Sequence, residues 1–119
     1  MKIRTISQQR KIRFNTRTLK KVLLKVHERL KEHRKINYIF VSKSKITQLN
    51  RDFHNCDMAT DVLAFDLQGG PFNGQESVDC EILVCPEVAK ENCKKFGVSL
   101  EEELLRYCIH GLLHLRGYR

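Results

Sequence analysis

Two histidines four residues apart, His110 and His114, are the residues in this 119-residue chain best spaced to do chemistry. They fall in Leu100–Leu115, where apolar side chains recur at helical spacing. On a helix, positions i and i+4 project side by side, about one turn apart. Two imidazole nitrogens so placed can meet one tetrahedral divalent ion at about 2.0–2.1 Å. Such an ion lowers the pKa of a bound water or polarises a phosphate or carbonyl oxygen. The pair His110 and His114 is a candidate to hold a divalent ion, Zn2+ or another, against the alternative of surface or packed histidines.

The neighbours of the pair narrow the reaction. Gly117 follows His114 by three residues, as in the pattern H-x-x-x-H-x-x-G-x-x-H, where the glycine reverses the chain and a third histidine reaches the metal. The third ligand would fall on the residue after Arg119, where the sequence read here stops. In metzincin peptidases a glutamate follows the first histidine and acts as general base; Gly111 stands there instead. A peptidase mechanism therefore lacks its base.

The helix must present these histidines while burying its other side. A 100° wheel puts Leu104, Leu105, Cys108, Ile109, Leu112, Leu113 and Leu115 on a packed half, and Glu103, His110 and His114 on the polar half. Ser99 and Glu102 form a capping box at its start, and Gly117 suits the C′ region at its end. Upstream, Lys2–Ile6 reads as an edge strand. A helix follows from Thr16 to about Arg34, capped by Asn15 or Thr16, with Leu19, Val22, Leu23, Val26 and Leu30 inward and Arg17, Lys20, Lys21, Lys25 and Arg29 outward. Asn37–Ser42 reads as a strand, and Lys43–Phe53 as a helix with Ile46, Leu49 and Phe53 inward. The loop 54–60 comes next.

Asp61–Leu67 and Cys80–Cys85 read as two strands of a hairpin joined by a turn-rich segment, 68–77, with three glycines and a proline. Pro86 opens a helix that Gly97 ends. The expectation is a single α/β (α+β) domain over residues 1–119, in the order β-α-β-α-β-β-α-α, with a four-stranded mixed sheet.

Charge is divided along the chain. The net formal charge is +8, but residues 1–59 hold 16 Lys and Arg against 4 Asp and Glu, whereas residues 60–119 hold 6 against 10. A basic surface of that kind draws polyanions and gives salt-sensitive affinity for nucleic acid. The five cysteines form no C-x-x-C pair and read as reduced, packed thiols. No segment approaches the ~18 apolar residues of a membrane span, and the charged N-terminus lacks the apolar stretch of a secretory signal. These features read as a cytoplasmic protein with no membrane partner.

The residues also carry a resemblance. His110–Tyr118 (HGLLHLRGY) closely resembles the YbeY family signature H-G-x-L-H-L-x-G-Y-D-H. Leu49-Asn50 followed by Thr60–Phe65 (TDVLAF) resembles the family's L-N…T-D-V-L-S-F, and Cys80–Cys85 (CEILVC) its G-[DE]-I strand. The resemblance covers about residues 40–119 and implies a metal-dependent, single-strand-specific endoribonuclease of 16S rRNA maturation and ribosome quality control. It implies a zinc site of three histidines, with His110 and His114 the first two. It puts Glu81 at the family's acidic strand position and His54 where the family has an arginine. RNA, above all single-stranded rRNA, and small-subunit components of the ribosome are the implied partners. Arg51 and His54 are the expected catalytic side chains, neutralising phosphate charge or passing a proton. The contrasting expectation is an RNA- or ribosome-binding module with an incomplete, non-catalytic metal site. A small zinc hydrolase acting on something other than RNA is a third, disfavoured by the basic N-terminal half.

Overall fold

The computed structural model describes residues 3–67 and 78–118. Its elements are β1 (Ile3–Ser7), α1 (Thr16–Leu30), β2 (Ile36–Phe40), α2 (Lys43–His54), β3 (Val62–Asp66), β4 (Cys80–Val84), α3 (Pro86–Phe96) and α4 (Leu100–Leu115). The expected order and mixed sheet are both present. The strands lie in the order β1-β2-β4-β3, with β1, β2 and β4 parallel and β3 antiparallel to β4. The segment 68–77 and Arg119 lie outside the described residues.

Alternation along the strands splits the core in two. Ile36, Tyr38, Phe40, Cys80, Ile82 and Val84 face α1, α3 and α4, and meet Leu19, Leu23, Ala89, Leu104, Cys108 and Leu112. Ile39, Leu63, Leu83 and Cys85 face the other way and are covered by Ile46 and Leu49 of α2. The sheet is thus a layer between three helices and one.

Local chemistry sets the helix ends. The Asn15 side chain caps α1, accepting from Thr18 N–H at 3.2 Å, and Ser99 caps α4, accepting from Glu102 N–H at 3.1 Å. Helix α1 ends at Leu30 rather than near Arg34, because Lys31 turns left-handed (φ 54°) and its N–H returns to the Glu28 and His27 carbonyls. The chain then turns at Glu32, a carboxylate 6 % exposed that accepts from Arg34 Nη2 at 2.8 Å and from Arg116 Nη1 at 3.0 Å. Arg116 Nη2 also donates to the Leu30 carbonyl at 3.1 Å. At the opposite end, Asn15 N–H donates to Glu101 Oε2 at 3.2 Å, so α4 is tied to the α1 region at both ends.

Two burial expectations are corrected. Glu103 is 2 % exposed, not on the open half of α4; its carboxylate accepts from Arg106 Nη2 at 3.0 Å, while Tyr107 is also buried. Phe53 is 63 % exposed instead of inward, because α2 leaves its last turn beyond the sheet's cover, and its ring meets Phe65 edge-on at 5.3 Å. No helix among the described residues is long and apolar enough to cross a membrane.

Candidate active site

Helix α4 brings His110 and His114 together on its exposed side. Their Nε2 atoms lie 3.0 Å apart, with ring centroids at 4.7 Å. At that distance one ring nitrogen donates its proton to the lone pair of the other. Two nitrogens bound to one tetrahedral ion at 2.0–2.1 Å would lie about 3.3 Å apart, so the pair is within a few tenths of an ångström of chelating geometry. The donor set therefore suits zinc or a similar divalent ion. No third His, Cys, Asp or Glu completes a group of three with them among the described residues.

Asp61 stands behind His110. Its Oδ2 is 3.9 Å from His110 Nδ1, and its Oδ1 accepts from Val62 N–H at 2.8 Å. The carboxylate thus faces the far nitrogen of the His110 ring from beyond hydrogen-bond distance. Sequence reasoning gave Asp61 no role; the signal was the Thr60-Asp61 pair within the TDVLAF segment.

Gly111 sets how deep this helix lies. A Cβ there would stand 2.7 Å from Ile82 Cγ2 and 3.0 Å from Val62 Cγ2. The missing side chain lets α4 settle on β3 and β4.

Beside the pair runs a cleft of about 380 Å3, lined by Asn50, His54, Val62, Leu63, Ala64, Gly111, His114 and Leu115. Strand β3 is the sheet edge, so the cleft wraps an edge with α2 on one side and α4 on the other. Asp61 and Leu67 bracket β3 and pair with the residues that bracket β4 through backbone hydrogen bonds, Cys85 N–H to Asp61 O and Leu67 N–H to Asp79 O. By alternation, Ala64 turns its N–H and C=O outward into the cleft. Asn50 Nδ2 donates to the Met58 carbonyl at 2.9 Å and holds the 55–60 loop against α2.

His54 therefore reaches the same cleft as His114, from the last residue of α2 rather than from a loop. Arg51 sits one turn earlier and is turned aside. Its Nε donates to Asp57 Oδ1 at 2.7 Å, a second nitrogen pairs with the same oxygen, and it is not among the cleft-lining residues. Glu81 is on the opposite sheet face from the histidines, where an apolar wall desolvates it and raises its carboxyl pKa.

Four of the five cysteines, Cys80, Cys85, Cys93 and Cys108, are buried and none is bonded to another, as expected of packed thiols. Burial pushes the Cys108 thiol up to about 12.

Comparisons with known proteins agree with this architecture. The family model of Endoribonuclease YbeY matches residues 2–119. An endoribonuclease YbeY of Thermotoga neapolitana is 46% identical over 82 residues, 69% of this chain and 50% of the relative. One of Staphylococcus carnosus is 36% identical over 99 residues, 79% of this chain and 64% of the relative. A Thermotoga maritima protein solved in solution superposes with a TM-score of 0.61 at 34% identity, over 98% of this chain and 73% of the other. The chain spans about half the length of the Thermotoga relatives. With the family model matching residues 2–119 and a solved structure at 34% identity superposing over 98% of this chain, the chain belongs to the YbeY family.

Proposed function

We propose that this protein is a metal-dependent, single-strand-specific endoribonuclease acting in 16S rRNA maturation and ribosome quality control. The observation that carries the reading is the convergence of His110 and His114 Nε2 at 3.0 Å beside a cleft that His54 also lines. The name endoribonuclease carried by the relatives supports RNA as the substrate.

His110 and His114 would hold one zinc or other divalent ion, with Asp61 orienting the His110 ring. Bound there, the ion supplies Lewis acidity to a phosphate oxygen and acidifies water. The rest of the work falls to side chains of this chain. His54, exposed on the other wall, takes up or delivers a proton at the scissile phosphate. Arg51 neutralises phosphate charge once the backbone anion replaces Asp57 as its partner. The basic N-terminal half concentrates RNA near the cleft. A cleft recessed between two helices admits one extended strand more readily than a duplex. The same reading puts the protein in the cytoplasm, with small ribosomal subunit components as partners.

The test is metal content and cleavage of a single-stranded rRNA fragment. His110→Ala removes both together. Zinc retained at unchanged stoichiometry in that variant sinks the site assignment. A second reading, an RNA- or ribosome-binding module with a non-catalytic site, draws on the pair having no third partner among the described residues. It predicts salt-sensitive RNA binding with no cleavage at any metal concentration.

A further inference from the structure

On the far side of α2 from the histidine cleft lies a second groove, of about 360 Å3, that the proposed chemistry does not use. Its size falls at the lower end of the range for small-ligand sites, about 300–1,000 Å3. Ile39, Leu49, Leu83 and the rings of Phe53 and Phe65 make its walls, and Glu81 is its single acidic lining group. Glu81 and Phe65 are direct partners across β4 and β3, so carboxylate and ring stand side by side on one face. The half-buried carboxylate accepts no hydrogen bond from the described residues, and burial raises its pKa. Its oxygens are open to donors from a ligand.

The two grooves share their walls. Asn50 and His54 of α2 line the first while Leu49 and Phe53 line the second; Val62, Leu63 and Ala64 belong to one, Phe65 and Leu67 to the other. The two grooves therefore adjoin along α2 and β3, the second on the opposite sheet face from the histidines.

Resting on the endoribonuclease reading above, we infer that this groove is a nucleobase subsite for an unpaired guanine, stacked on Phe53 and read by Glu81. An exposed aromatic offers any base a stacking platform. A carboxylate only accepts hydrogen bonds, and guanine alone among the bases offers two adjacent donors, N1–H and the 2-amino group. Adenine and uracil set an acceptor beside their donor. That edge is free only in single-stranded RNA.

Fluorescence anisotropy with 2′-O-methyl oligouridylate, and with the same strand carrying one guanine, inosine or adenine, tests this at fixed salt. The guanine strand binds roughly tenfold tighter than oligouridylate, inosine loses most of that gain, and adenine shows none. Glu81→Gln brings guanine down to the oligouridylate level and leaves oligouridylate unchanged; Phe53→Ala weakens every strand several-fold. Equal affinities in the parent protein, or discrimination that survives Glu81→Gln, overturn the subsite while the endoribonuclease reading stands. A Glu81→Gln protein that loses oligouridylate as well also overturns it, since a base-reading carboxylate leaves that strand untouched. Guanosine monophosphate binding as tightly as the guanine strand reassigns the groove to a free nucleotide and overturns the proposal. No binding of any strand overturns both readings.

Discussion

Gly111 and Ile82 are in contact at a distance that leaves no room for a side chain on Gly111: a Cβ there would lie 2.7 Å from Ile82 Cγ2. The histidine helix thus rests on β4 through a missing side chain.

Gly111→Ala should cost about 1–3 kcal/mol of stability by overpacking, although alanine is the better helix former by about 1 kcal/mol. Chemical denaturation measures it. Ile82→Val removes only Cδ1 and keeps Cγ2 in place, whereas Ile82→Ala removes both; the Gly111→Ala, Ile82→Ala double variant should lose less stability than the sum of the two single losses. A neutral or stabilising Gly111→Ala would show that α4 has room the structure does not display.

Two arginines hold the Glu32 carboxyl down at about 2, through the Arg34 hydrogen bond above all. Its ordinary value is about 4.3 when the chain is unfolded. A carboxylate depressed in the folded state contributes stability above the unfolded pKa, and that contribution is lost as pH falls from about 4.3 towards 2. Glu32→Gln should therefore lower stability at pH 7 by about 2–3 kcal/mol and flatten its dependence on pH across that window. Thermal melts of both proteins between pH 2 and 7 read the difference, and parallel curves would contradict it.

Asp61→Asn keeps an oxygen for Val62 N–H and removes the charge facing His110. Metal affinity should fall roughly 10–100-fold with little change in melting temperature. Competition with a chromogenic zinc chelator gives the number; unchanged affinity would separate Asp61 from the metal site.

Among the five cysteines, Cys56 alone is partly exposed. A thiol reagent at neutral pH should label one cysteine quickly and the other four only after unfolding. Cys56→Ser should abolish the fast phase.

Much of this was legible in the residues. Helix α4 declared itself because its apolar period, the Ser99 cap and Gly117 agree at every level, and the same holds for α3 between Pro86 and Gly97. The histidine pair needed only the helical repeat. What escaped the sequence depends on partners far along the chain. Where α1 stops is tied to Glu32, whose partner Arg116 is 84 residues away. Glu103 and Phe53 exchanged their expected environments because burial is set by what the rest of the fold covers. Arg51 and His54 share one turn of α2 and point to different surroundings, a distinction that spacing alone does not carry.

The double fastening of α4, Glu101 to Asn15 at one end and Arg116 to Glu32 and Leu30 at the other, makes the two walls of the cleft unlike. The wall bearing His110 and His114 behaves as an anvil, its register to α1 locked at both extremities. The wall bearing His54 is the last turn of a 12-residue helix that buries only Ile46 and Asn50. A change in the width of the cleft would then come from α2, with the histidine pair held in one fixed place.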